Sequence, residues 1–132
     1  MSAVVVDTYI LIWYLLEPTK LSTNAHLALQ GADLAKQIYI PAIVLVEMRY
    51  LVEKGTIAET DFHFVINLIS DPFSSLHLAP LDFDVAKTVG SIARSTVPDM
   101  PDRVIAASAL ALGLPLITCD HKIIASGINT IW

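Results

Sequence analysis

Apolar residues fall in short blocks along this chain, and their spacing changes from one block to the next. Ala3 to Val6 is a β-branched run ending at Asp7. Thr8 to Leu16 follows at once, with Ile10, Trp13 and Leu16 at helical spacing, so a strand leading directly into a helix is predicted. Pro18 stops that helix. Leu21-Ser22-Thr23 offers a cap for a second helix running to about Gln37, with a weak point at Gly31. Ile38 to Ile40 reads as a second strand, and Pro41 opens a third helix that passes through Glu47 and Tyr50 to a stop at Gly55. A fourth helix is expected from about Ala58 to Ile69, a third strand over Leu76 to Ala79, and a helix from Asp82 to Ser95. After the loop from Val97 to Pro101, an alanine-rich helix from Asp102 to Leu112 closes at Gly113. Pro115 to Thr118 is a buried strand ending at Asp120, and a short helical turn and a strand over Ile128 to Ile131 follow.

Short apolar strands alternating with helices imply a parallel sheet covered on both faces. Right-handed crossovers make this an open three-layer α/β/α sandwich with a short-stranded, mostly parallel central sheet. No repeat, low-complexity tract or linker marks a boundary, so residues 1–132 are expected to form a single domain. In this architecture ligands bind beyond the carboxyl ends of the strands, where the strand order reverses.

Composition narrows the picture. The chain is 55 % hydrophobic and only 16 % charged, against about 25 % charged in soluble domains. The longest uncharged run, Val104 to Cys119, is 16 residues and is broken by Gly113 and Pro115, short of the roughly 20 that a spanning helix needs. The excess apolar surface is therefore expected to be buried against a partner. No targeting signal is visible, and a cytoplasmic protein is expected. One cysteine, Cys119, offers neither a disulfide nor a cysteine-based zinc site and is expected to pack in the core. A net charge of −5 excludes a broad basic grip on nucleic acid. It leaves open an acidic site that borrows positive charge from cations.

Four acids stand where such a site would form. Asp7 and Asp120 each end a strand, at the same sheet edge, although each could equally be the N-cap of the helix that follows. Glu47 is harder to place as a structural group. Its helical neighbours Ile43, Val44, Tyr50 and Leu51 cannot neutralise it, and a buried unpaired carboxylate is costly, so an ion pair from elsewhere or a metal is expected. Asp99 and Asp102 have the spacing of a capping box, with Pro101 inside the first turn, yet a carboxylate there also faces the cleft if the helix packs on the sheet. Gathered together, Asp7, Glu47, Asp102 and Asp120 repel one another unless Mg²⁺ or Mn²⁺, cations suited to hard oxygen ligands, is held between them. A pair of such ions is the usual device for hydrolysing a phosphodiester.

With these residues in place the chain resembles the PIN-domain nucleases and, within them, the VapC-like toxins of toxin–antitoxin pairs. The likeness runs end to end. Val4-Val5-Val6-Asp7-Thr8 with Leu11-Ile12-Trp13 is similar to the family's first strand and acid, and Ile38 to Glu47 with Leu51 and Gly55 to its glutamate-bearing helix. Asp99-Met100-Pro101-Asp102-Arg103 is similar to its Asp-Pro-x-Asp-Arg segment, and Leu114 to Asp120 to its last acidic strand. The resemblance implies an RNA-cleaving, Mg²⁺-dependent enzyme with Mn²⁺ as substitute. Asp7, Glu47 and Asp102 would be the principal metal-binding and catalytic acids and Asp120 a fourth, with Thr8, Asp99 and Thr118 supporting them. It also implies an antitoxin partner covering the cleft, with Trp13 and Leu15-Leu16 as candidate docking residues, and a homodimer. Pro41 and Val44 depart from the family's pattern, in which small hydroxyl residues often precede the glutamate. That departure leaves Glu47 without an obvious hydroxyl to hold it.

Other readings are weaker. A receiver-like Mg²⁺-binding module needs an adjacent acidic pair after the first strand and a lysine after the last, and a dehalogenase-like phosphatase needs two aspartates one residue apart; here Asp7 is followed by Thr8-Tyr9. A PIN-like module that only binds would have little use for four acids. His26, His63, His77 and His121 are scattered without ligand spacing, the aromatic residues Tyr9, Trp13, Tyr50 and Trp132 read as core or interface, and Arg103 and Lys122 read as solvated charges able to reach phosphate.

Overall fold

The structure, a computed structural model, describes residues 2–132. Among these, five strands and seven helices follow in the order β1 (Val4–Val6), α1 (Thr8–Leu16), α2 (Thr23–Leu34), β2 (Ile38–Pro41), α3 (Ala42–Glu53), α4 (Glu59–Ser70), β3 (Leu76–Ala79), α5 (Phe83–Thr88), α6 (Met100–Leu112), β4 (Leu116–Ile117), α7 (His121–Ala125) and β5 (Thr130–Ile131). All strand pairs are parallel and the order across the sheet is β3-β2-β1-β4-β5. The predicted three-layer α/β/α sandwich is the observed fold.

The strands are short because they are buried: Val4, Val5, Val6, Ile38, Ile40, Leu116 and Ile117 all lie in the core, and β-branched side chains pack well on a pleat covered from both sides. Successive strands run outward from β1 to β3, and then the chain returns to lay β4 on the other side of β1. The order therefore reverses between β1 and β4, which opens a crevice beyond their carboxyl ends. The Asp7 N–H donates to the Ile117 carbonyl at 3.3 Å and holds the two strand ends together there.

Two helices end earlier than their patterns predict. The second was expected to reach Gln37 with a weak point at Gly31, but Gly31 lies inside α2 without interrupting it. The stop is Lys36, in the left-handed region at φ 56°, where its N–H bonds Asp33 and that of Gln37 bonds Ala32. This is the paired closure usually built on glycine, and α6 makes it with Gly113 at φ 66°. The helix expected from Asp82 to Ser95 breaks after Thr88 into a single 3₁₀ turn, Val89–Ser91. The carbonyls of Val89 and Ile92 are turned instead to the Arg103 guanidinium. Pro41 ends β2 and caps α3 rather than opening it.

Candidate active site

Asp7 follows β1 and is the N-cap of α1. One carboxylate oxygen accepts from the Ile10 N–H at 2.9 Å, and the other accepts from the hydroxyl of Thr118, which is fully buried. Asp120 follows β4 and caps α7, accepting from the N–H groups of Lys122 and Ile123 at 2.9 and 3.0 Å. Its own N–H donates to the Thr118 hydroxyl oxygen at 3.1 Å. Thr118 thus links the two aspartates across the crevice.

Asp99 caps α6 by accepting from the Asp102 N–H at 3.2 Å, which places Asp102 in the first turn. The caps are present for Asp7, Asp99 and Asp120, and all of these acids also line one cavity. An aspartate that ends a parallel strand or starts the next helix stands at the one sheet edge where the crevice opens.

Glu47 arrives from the middle of α3. No described cation pairs with it. Its partner is the Thr8 hydroxyl, buried at the start of α1, which donates to Glu47 Oε1 at 2.6 Å. The hydroxyl missing from the segment before Glu47 is therefore supplied from 39 residues away, a link that local spacing along the chain does not reveal.

These acids line one cavity of about 450 Å³, with Asp7, Glu47, Asp99, Asp102 and Asp120 around it and Thr8, Tyr9, Trp13, Ile105 and Cys119 in its walls. No lysine, arginine or histidine is among them. The electrostatic consequence is direct. Burial pushes the Asp7 carboxyl up to about 6 against the hydrogen bonds from Thr118 and Ile10, and the charges of Asp120 and Glu47 add to the rise. Burial, then the charges of Asp99, Asp120 and Glu47, push Asp102 up to about 7. In both rises burial comes first and the neighbouring carboxylates add to it. Among the described residues no group of three acidic, histidine or cysteine side chains stands placed to hold a metal ion; the carboxylates ring the cavity instead.

Three sequence expectations change. Cys119 is not a core residue: it is partly exposed in the cavity wall, and burial together with the charges of Asp7 and Asp120 pushes its thiol up, away from thiolate chemistry. Arg103 is neither a solvated charge nor a phosphate contact. Its guanidinium donates to the Ile92 carbonyl at 3.1 and 2.7 Å and to the Val89 carbonyl at 3.1 Å, clamping the turn after α5 onto α6. Trp13 and Tyr9 are site residues as well as packing residues, and their spacing of four on a helix was the signal that they share a face. Of the candidate docking residues, Leu15 packs against the core and Leu16 is exposed. Lys122 is exposed, as expected.

A second cavity of about 510 Å³ adjoins the first across Thr8, Tyr9, Glu47 and Asp99. Its far wall is apolar, with exposed Val46, Tyr50 and Met100. No described helix is long and apolar enough to cross a membrane.

Comparison with known proteins bears on the whole chain. The family model for the PIN domain matches residues 4–126. Ribonuclease VapC22 of Mycobacterium tuberculosis is 27 % identical over 123 residues, covering 93 % of this chain and 91 % of that one. Among solved structures, VapBC2 of Rickettsia felis bound to a promoter DNA fragment superposes with a TM-score of 0.72 at 18 % identity, covering 97 % and 96 % of the two chains. DNA-bound VapBC of Salmonella typhimurium gives 0.72 at 22 % identity, covering 98 % and 97 %.

Proposed function

The chain belongs to the PIN-domain family, and from that premise we propose that it is a Mg²⁺- or Mn²⁺-dependent endoribonuclease, the toxin of a toxin–antitoxin pair. The observation that carries this reading is the cavity at the sheet reversal, walled by five acids and by no basic residue. Such a cavity attracts cations and repels a bare phosphodiester, so phosphate chemistry there needs a metal.

The donor set fits a hard divalent cation: every candidate ligand is a carboxylate oxygen, and Asp7 and Asp102 are raised by burial first and by neighbouring carboxylates second, both of which a bound cation would offset. Bound there, the ion would neutralise the phosphodiester and make a water acidic enough to attack it near neutral pH. Asp7, Glu47 and Asp102 are the residues to hold it, with Asp120 a fourth. Thr118 fixes the orientation of Asp7 and Thr8 that of Glu47, so neither side chain must be ordered on binding. Asp99 holds the first turn of α6 and with it Asp102.

An antitoxin covering this cleft is the proposed regulator, as the naming of the structural relatives as VapBC suggests. The exposed Val46, Tyr50 and Met100 beside the acids offer it an apolar footing. Exposed Leu34, Phe73 and Phe83 elsewhere support a homodimer.

The test is cleavage of defined RNAs by the purified chain. Activity is expected with Mg²⁺ or Mn²⁺, is lost in excess EDTA, and is poorly restored by Zn²⁺. Asp7→Asn, Glu47→Gln and Asp102→Asn are each expected to lose at least about a hundredfold, on the scale of removing a group that stabilises transition-state charge. Cleavage persisting in EDTA, or wild-type activity in Glu47→Gln, would overturn the reading.

A further inference from the structure

An RNA-cutting site lined by no basic residue must hold the nucleotides on either side of the scissile phosphate by something other than phosphate contacts to its own side chains. The chain has eight lysines and arginines, and half are already engaged. Arg49 makes a two-pronged pair with Glu59, Arg103 is bound to backbone carbonyls, Lys87 lies 3.7 Å from Asp84, and Lys20 lies 2.6 Å from Glu17. Near the acids, Lys54 and Lys122 have no described ion pair and Lys20 has only its exposed pair with Glu17, so these three are the candidates for phosphate, and the net charge of −5 works against them.

Aromatic rings, in contrast, lead straight out of the acid cavity. Tyr9 and Trp13 both line it, on one face of α1, with ring centroids 6.1 Å apart. Trp13 is followed at 6.1 Å by Trp132, whose carbonyl is held by the Asn24 amide at 3.2 Å. Tyr9 is 49 % exposed and Trp132 38 %. Tyr9 and Trp13 also wall a third cavity, of about 360 Å³, which Glu17, Lys20 and Asp61 share; the Lys20 ammonium stands 6.0 Å from the Trp13 ring. The three rings form an aromatic ridge that begins at the acids and ends at Trp132, with the Lys20 ammonium beside its middle ring.

We propose that this Tyr9–Trp13–Trp132 ridge is a stacking track for unpaired RNA bases flanking the phosphate held at the acids. The proposal rests on the ribonuclease reading and adds the residues that would seat the substrate's bases beside the acids, Tyr9, Trp13 and Trp132. Stacking suits an acidic protein because it is indifferent to charge and tolerant of sequence. A duplex, whose bases are already stacked on one another, cannot use the track. The rings are tilted by 45° and 49° to each other, so bases lie along the ridge rather than between its members.

Both tryptophans of the chain belong to the track, so intrinsic fluorescence reports on it directly. The experiment mixes the protein with a single-stranded RNA decamer in Mg²⁺ by stopped flow, then with the same decamer as a duplex. Rapid quenching before product forms is expected with the single strand only. Tyr9→Leu and Trp13→Leu should raise KM on the order of ten- to hundredfold with kcat little changed, and Tyr9→Phe and Trp13→Phe should restore most of the loss. With at most three phosphate contacts, the log–log salt slope of binding should be shallower than about −2.

Cleavage without quenching, with KM unchanged in both leucine variants, removes the track and leaves the nuclease standing. Quenching without cleavage removes the nuclease and leaves a single-strand binding site. Leucine variants that bind RNA normally but shift from dimer to monomer in ultracentrifugation make the ridge a protein interface and overturn the proposal.

Discussion

In the metal-free protein, Asp7→Asn should raise stability at neutral pH and not at acid pH. The Asp7 carboxyl titrates near 6 in the folded chain against 3.8 for an unperturbed group, a difference worth about 3 kcal/mol. Below about pH 4 the group is protonated whether the chain is folded or not, and there is no penalty. Between about 4 and 6 the unfolded chain gives up its proton while the folded chain keeps it, so stability falls as pH rises. Above 6 the whole penalty is present. The amide escapes it but is not a perfect replacement. Two donors, the Ile10 N–H and the Thr118 hydroxyl, point at the carboxylate, and an amide has one acceptor oxygen, so about 1 kcal/mol is lost. The net gain of about 2 kcal/mol corresponds to roughly 7 °C in a chain of this length. Thermal melts in EDTA from pH 4 to pH 8 should show the variant equal to or below wild type at pH 4 and several degrees above it at pH 7. A difference that does not vary with pH, or a wild type more stable at pH 7, would refute the assignment of Asp7 to a crowded acid site. Added Mg²⁺ should then stabilise wild type and close the gap.

Thr8→Val keeps the shape of a buried side chain and removes the hydroxyl that holds Glu47; cleavage should fall about tenfold, as expected for one hydrogen bond to a charged group, with a higher Mg²⁺ requirement and a melting temperature within a few degrees of wild type. An unaltered Mg²⁺ requirement would make the contact incidental. Arg103→Ala orphans the carbonyls of Val89 and Ile92 and should cost about 2–3 kcal/mol, near 10 °C by calorimetry. Lysine, lacking the planar fork, should recover only part of this, whereas an unchanged melting temperature would return Arg103 to the role of a surface charge.

How far the site could be read from the chain depends on the sequence distance each feature spans. Asp7 and Asp120 are marked locally, since an acid between an apolar strand run and a helix must stand at the strand's carboxyl end, and Asp102 is marked by its place three residues after a capping aspartate at a helix start. Glu47 was marked by its surroundings, an acid among apolar neighbours with nothing to pair with. The Thr8–Glu47 bond spans 39 residues and the Thr118–Asp7 bond 111, and no periodicity reports such distances. Arg103 was misread for the same reason: its partners lie 11 and 14 residues back, in a turn that the pattern had drawn as continuous helix. The end of α2 was missed because its left-handed residue is Lys36 rather than a glycine, and only tertiary context makes a lysine hold that conformation.

The caps also determine what the cavity can do with an anion. Helix N-termini ordinarily bind phosphate through unpaired amides, and three helices, α1, α6 and α7, begin at this crevice. Several of their first-turn amides are already taken. Ile10 donates to Asp7, Asp102 to Asp99, and Lys122 and Ile123 to Asp120, while Pro101 has no N–H to give. The positive ends of the helices are spent on stabilising the protein's own carboxylates, which helps a cavity with so many acids and no basic residue to fold at all. A phosphate entering it finds no basic side chain and fewer open amides than three helix starts would otherwise offer, so a cation is what reverses the sign of the site. A nucleoside monophosphate should therefore leave the melting temperature unchanged in EDTA and raise it once Mg²⁺ is present, the two ligands acting with positive coupling. Calorimetric titration in both buffers separates the cases. Binding of equal strength with and without the metal would mean that the phosphate is held elsewhere on the chain, and that the acids are not its site.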